Sequence, residues 1–126
     1  MVNISLEIRV IEKFIRKEKQ SRYISFVSSK KNRKKFIREL PHLKDLEWNL
    51  FVEVNSFSPE MINHFDPRQF CYVISEDSSV DGRRINVSES FSLTNSGNAF
   101  ILVFGEVEEV YYEGEPPFNR YFSKKL

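Results

Sequence analysis

The chain reads as an α+β domain, with N-terminal helices packed on a mostly antiparallel sheet of about four strands. Three observations predict this class. Apolar residues recur at helical spacing up to about residue 40, where Pro41 intervenes. From Leu46 the period switches to two, and later runs are aromatic and β-branched. Turn signals at Asp81-Gly82 and at Asn95-Ser-Gly-Asn98 separate those runs.

Asn3 is placed to cap a first helix over residues 4–18. Ile4, Ile8, Ile11 and Ile15 give its inward stripe, widened by Leu6, Val10 and Phe14, with Arg9, Lys13, Arg16 and Lys17 toward the other side. Residues 21–28 alternate poorly, so a second helix with Tyr23, Phe26 and Val27 on one face is the better reading. Ser29 then caps a third helix over 30–40, with Phe36, Ile37 and Leu40 inward and Pro41 as its stop. Leu46 to Val54 reads as the first strand, Leu50, Val52 and Val54 facing one way and Phe51 and Glu53 the other. Ser58-Pro59-Glu60 is a helix start, and that short helix ends near Phe65.

Residues 70–75, Phe-Cys-Tyr-Val-Ile-Ser, form the strand around which the rest is organised. Ile85, Val87 and Phe91 give a short irregular cover after Gly82. Residues 99–104 are apolar on both faces, which predicts the central strand. Gly105 turns it, and Val107 to Tyr112 returns as its hairpin partner. Residues 114–117 break that strand, and Phe118 to Phe122 add a short edge strand.

A length of 126 residues fits one domain over 1–126. Its halves differ in charge. Residues 1–45, the helical part, hold 13 Lys and Arg against 5 Asp and Glu; residues 46–126, the sheet-rich part, hold 6 against 13. Either the halves attract each other within the fold, or a charged face meets an oppositely charged macromolecule. The single Cys excludes an internal disulfide and favours a reducing compartment. The start carries Glu7 and Arg9 rather than a leader-like apolar run, and no stretch approaches the roughly 18 apolar residues of a membrane span. A cytoplasmic location is the expectation. Twelve Phe and five Tyr predict an aromatic core.

Several clusters have residue types that could carry chemistry. Glu76, Asp77 and Asp81 follow a strand end, where hard-cation carboxylates occur, but they lack the alternating acids, mid-loop Gly and closing Glu of a calcium loop. They read as solvated turn carboxylates. Cys71 with His42 or His64 would need exposure and a lowered pKa to be a nucleophile; inside an apolar strand it reads as a core thiol. Two His and one Cys leave a zinc site short of ligands. Acids crowded on one hairpin lack the opposed walls of a glycosidase. No catalytic residue, metal or cofactor is therefore assigned.

Lys30, Lys31, Arg33, Lys34 and Lys35, extended by Arg38, form a basic run suited to a phosphate backbone, with Arg22, Tyr23 and Phe26 near for stacking. The near-neutral chain weakens that reading. Glu106, Glu108, Glu109, Glu113 and Glu115 cluster around Tyr111 and Tyr112, with Phe118 beyond. Acids that steer and aromatics that bury area suit docking onto a basic protein.

The stretch Cys71-Tyr-Val-Ile-Ser-Glu-Asp-Ser-Ser-Val-Asp-Gly82, with Ser28-Ser-Lys-Lys-Asn-Arg-Lys-Lys-Phe36, Tyr112-Glu-Gly-Glu115 and Arg120-Tyr-Phe122, resembles a family of small uncharacterised bacterial proteins. The resemblance implies a bacterial, cytoplasmic, single-domain protein and transfers no functional residue. The function expected from these residues is protein binding, most concretely an immunity protein that occludes the active site of a basic, nuclease-type toxin, with Tyr111, Tyr112 and Phe118 as anchors. The alternative is nucleic-acid binding through residues 30–38.

Overall fold

The computed structural model describes residues 2–55, 68–94, 96–115 and 120–123. Three helices, α1 (Ile4–Phe14), α2 (Gln20–Val27) and α3 (Lys30–Glu39), lead into a six-stranded antiparallel sheet. Its strands are β1 (Val52–Glu53), β2 (Phe70–Ser75), β3 (Arg84–Asn86), β4 (Phe100–Phe104), β5 (Glu109–Glu113) and β6 (Arg120–Phe122), in the order β1-β6-β5-β4-β2-β3. The α+β class holds; the sheet is wider than the expected four, and the strand that the sequence does not predict is β3, three residues long and too short to give a period-two signal.

Helix α1 starts where Asn3 predicts, its side chain accepting from the Leu6 N–H at 3.0 Å. It ends at Phe14, short of residue 18, because Ile15 turns extended and bridges Leu46. The Arg16 N–H donates to the Asp45 carbonyl and the Glu47 N–H to that of Phe14, fixing the break. The buried stripe is Leu6, Glu7, Val10, Ile11 and Phe14. Ile4, expected inward, is 41 % exposed. Helix α2 confirms the helical reading of residues 21–28, and the Gln20 side-chain amide ties it to the Glu12 and Ile15 carbonyls. Helix α3 begins on Ser29, whose hydroxyl accepts from the Asn32 N–H at 3.1 Å. Beyond it the chain tightens into a 3-10 turn over Leu40–His42 that contains Pro41.

The expected strand over Leu46–Val54 is interrupted by a 3-10 turn at Trp48–Leu50, closed by the Leu50 and Phe51 N–H groups donating to the Glu47 and Trp48 carbonyls, with the indole N–H reaching back to the Lys44 carbonyl. Only Val52 and Glu53 pair in the sheet. Leu50 is exposed, while Val52 and Val54 do share one face and Phe51 takes the other. The helix expected from Ser58 to Phe65 lies outside the described residues.

Strand β4 lies between β5 and β2 and is buried at all five positions, as its two-sided apolar run predicts. One sheet face, with Tyr72, Ile74, Ile101, Val103, Val110 and Tyr112, packs on the helices. The other, with Cys71, Val73, Phe100, Leu102, Phe104, Tyr111 and Phe122, packs on Val87, Phe91 and Leu93 of a 3-10 stretch over Val87–Leu93. Burying both faces explains the aromatic content. One expectation is corrected: β6 is flanked by β1 and is not an edge, which leaves β5 well inside the sheet.

Candidate functional site

Glu7 sits within the apolar stripe of α1 and is fully buried. A bare carboxylate there would be costly, so partners must converge on it. Arg33 of α3 supplies a fork, Nε to Oε1 at 2.9 Å and Nη2 to Oε2 at 2.8 Å. The Tyr72 hydroxyl of β2 donates to Oε2 at 2.6 Å and accepts from the Asn3 N–H at 2.9 Å. The other edge of Arg33 grips Asp81, through Nη1 at 2.6 Å and Nη2 at 2.9 Å. Asp81 in turn accepts from the Ser75 N–H. Burial works against the charge of Arg33, but the bonds and charges of Asp81 and Glu7 outweigh it and hold its pKa above the usual guanidinium range. One guanidinium thus rivets α1, α3 and the β2–β3 turn together.

A cleft of about 550 Å³ opens over this rivet, between α3 and the β2–β3 turn. Lys30, Lys34, Ile37 and Arg38 line one wall; Ser75, Glu76 and Ser78 line the other; Val2 closes one end. A second hollow of about 380 Å³ shares Val2, Lys30 and Arg33 and adds Ile4 and Val27. Lys30, Lys31, Lys34, Lys35 and Arg38 are exposed, and among the described residues none has a carboxylate within ion-pair distance. Lys35 lies 5.9 Å from the Phe26 ring, beside Arg22 at 5.2 Å. The first turn of α3 holds Lys30 and Lys31 and no acid, the reverse of what the helix dipole favours.

Arg33 is therefore not available to a phosphate, which corrects its place in the basic run: it faces inward three positions before Phe36, and its charge is spent on Glu7 and Asp81. The acidic hairpin is dispersed. Tyr111 and Tyr112 are 0 % and 2 % exposed and point to opposite sides of an interior strand, so neither is an exposed anchor. Glu113 is fully buried and accepts from the Tyr111 hydroxyl and Arg120 Nε, both at 2.8 Å. Glu109 accepts from the Ser123 hydroxyl, and Glu115 meets His42 Nε2 at 2.9 Å. Glu106 and Glu108 alone stay exposed on the β4–β5 turn. There Val107 has φ 62°, rare for a β-branched residue, held by burial of its side chain and by Lys13 Nζ donating to its carbonyl at 2.8 Å. Phe118 lies outside the described residues.

Cys71 is buried in β2, which pushes its thiol up to about 12, helped by the charge of Glu89; it is no nucleophile in this state. Its proposed neighbour His64 lies outside the described residues. The acids after β2 serve the turn: Glu76 accepts from the Ala99 N–H, Asp77 from Ser79 and Asp81 from Arg33. Among the described residues no three His, Cys, Asp or Glu converge as metal ligands, and no helix is long and apolar enough to cross a membrane.

The sequence did not single out Glu7, Tyr72, Ser75 or Val2 as site residues. The signal for Glu7 was there: a carboxylate flanked by Leu6, Val10 and Ile11 on one helical face demands a buried cation. Compared with known proteins, the chain matches no family model, no curated protein and no solved structure, so the resemblance in the sequence assigns no family.

Proposed function

We propose that this protein binds nucleic acid through the outer face of α3. The observation that carries the reading is the set of five exposed cations, Lys30, Lys31, Lys34, Lys35 and Arg38, without a carboxylate partner among the described residues. Two of them stand at the positive end of the helix, where they oppose the dipole and an anion from outside would be favoured. Buried Arg33 braces the helix against the sheet and makes that face rigid. Arg22, Lys35 and the Phe26 ring at its flank suit stacking on an unpaired base. No catalytic step is needed.

Fluorescence anisotropy with labelled single-stranded RNA and DNA tests this. Binding should weaken with salt, with a logarithmic slope of about −2 to −4 for three to five phosphate contacts. The Lys30→Glu, Lys31→Glu, Lys34→Glu, Lys35→Glu variant should lose binding and keep its fold. Absence of any binding by the unaltered protein at low salt would end the reading.

A second reading keeps protein docking in reduced form, including an immunity role toward a basic toxin. Glu106 and Glu108 project from a turn stiffened by Lys13, which donates to the Val107 and Glu108 carbonyls. Co-purification with a basic protein that is lost in Glu106→Lys, Glu108→Lys favours it; capture unaffected by those changes removes it.

A further inference from the structure

The cleft beside α3 has no part in a purely electrostatic contact, yet at about 550 Å³ it opens directly against the basic face. Lys30, Lys34 and Arg38 follow at four-residue steps, so they form one row along the helix. Their spacing is about 6 Å per step, which suits successive phosphates of an extended strand. The row borders the cleft, and with Arg33 and Asp81 paired to each other its lining leaves the three cations of the row against Glu76. The hollow beyond is apolar: Val2, Ile4 and Val27 line it, with Lys30 and Arg33 at its rim. Val2 and Ile4 are 37 % and 41 % exposed, two of the five large hydrophobic residues left in solvent among the described ones. A duplex keeps its bases stacked inside and brings only phosphates to such a surface; an unpaired base brings an apolar face of matching size.

We infer that the cleft seats an unpaired base while Lys30, Lys34 and Arg38 hold the phosphates that flank it. The protein then prefers single strands over duplex. Val2 and Ile37 give the cleft its apolar contact with the base, the hollow lined by Ile4 and Val27 adjoins it at Val2, and Ser78 lines the cleft where a base edge passes. This inference rests on the nucleic-acid reading and adds strand state and a base pocket to it.

The test compares a labelled 12-nucleotide single strand, its duplex and an abasic strand of the same length. The single strand should bind at least tenfold tighter than either. Val2→Trp and Ser78→Trp add bulk to the cleft at exposed positions and replace no cation. Each should cut single-strand affinity about tenfold and leave duplex binding and the circular dichroism spectrum unchanged. Equal binding of strand and duplex, or of the abasic strand, overturns the base pocket and leaves the basic-face reading standing. So does undiminished single-strand binding in both folded Trp variants. No binding of any probe removes both.

Discussion

Each buried carboxylate among the described residues meets one Tyr hydroxyl and one Arg. Glu7 has Tyr72 and Arg33; Asp45 has Tyr23 at 2.6 Å and Arg22 at 3.7 Å; Glu113 has Tyr111 and Arg120. The Tyr supplies a neutral donor that needs no desolvated cation, and the Arg supplies the charge. Removing one member strands the others. Arg33→Met should cost about 3–5 kcal/mol in urea unfolding, because the Glu7 carboxylate stays buried without its cation. Adding Glu7→Leu to that variant should recover more than half of the loss, since a well-packed apolar pair replaces ions with little penalty. A single-variant loss under about 1 kcal/mol would contradict the buried pair.

Helix α3 is the element where stability and function pull apart. Its cap is sound: Ser29→Ala should cost about 1 kcal/mol by removing the acceptor of the Asn32 N–H. Its first turn is not, since Lys30 and Lys31 oppose the dipole. Lys30→Glu with Lys31→Glu should therefore stabilise the protein by about 0.5–2 kcal/mol while weakening nucleic-acid binding. A melting temperature that falls in this variant would show that those lysines serve the fold. Strand β5 carries the converse lesson. Five acids and two Tyr in ten residues resemble a docking surface in sequence, but β5 is interior, so its side chains alternate into two cores.

The molecule as a whole should be alkali-sensitive. Burial, then hydrogen bonds and charges from Glu7 and Asp45, raises the Tyr72 and Tyr23 hydroxyls. Burial and Glu113 raise Tyr111, and burial pushes Tyr112 up to about 12. In the unfolded chain these groups and Cys71 release protons from about pH 9 upward. The folded state still holds the protons there, so unfolding is favoured as pH rises. The associated stability is complete at about pH 7, falls from about pH 9 and keeps falling toward pH 12. Urea midpoints at about pH 7, 9 and 10.5 measure this, and an unchanged midpoint at the highest value refutes it. Native Cys71 should meanwhile react with a disulfide reagent only at the rate of unfolding.

Local chemistry was legible wherever one short stretch decides its own state. Asn3 and Ser29 mark helix starts, the two-sided apolar run of β4 marks the centre of the sheet, and the β2 strand has the bounds its residues suggest. What sequence could not settle is which charges face water. Arg33 stands inside a basic run, and only the approach of α1 and the β2–β3 turn converts it from a surface cation into a buried rivet. Tyr111, Tyr112 and Glu113 look exposed until β6 and β1 pair outside them. Charge and hydrophobicity belong to a residue, but burial belongs to the neighbours that distant segments bring, and those neighbours decided where a partner can bind.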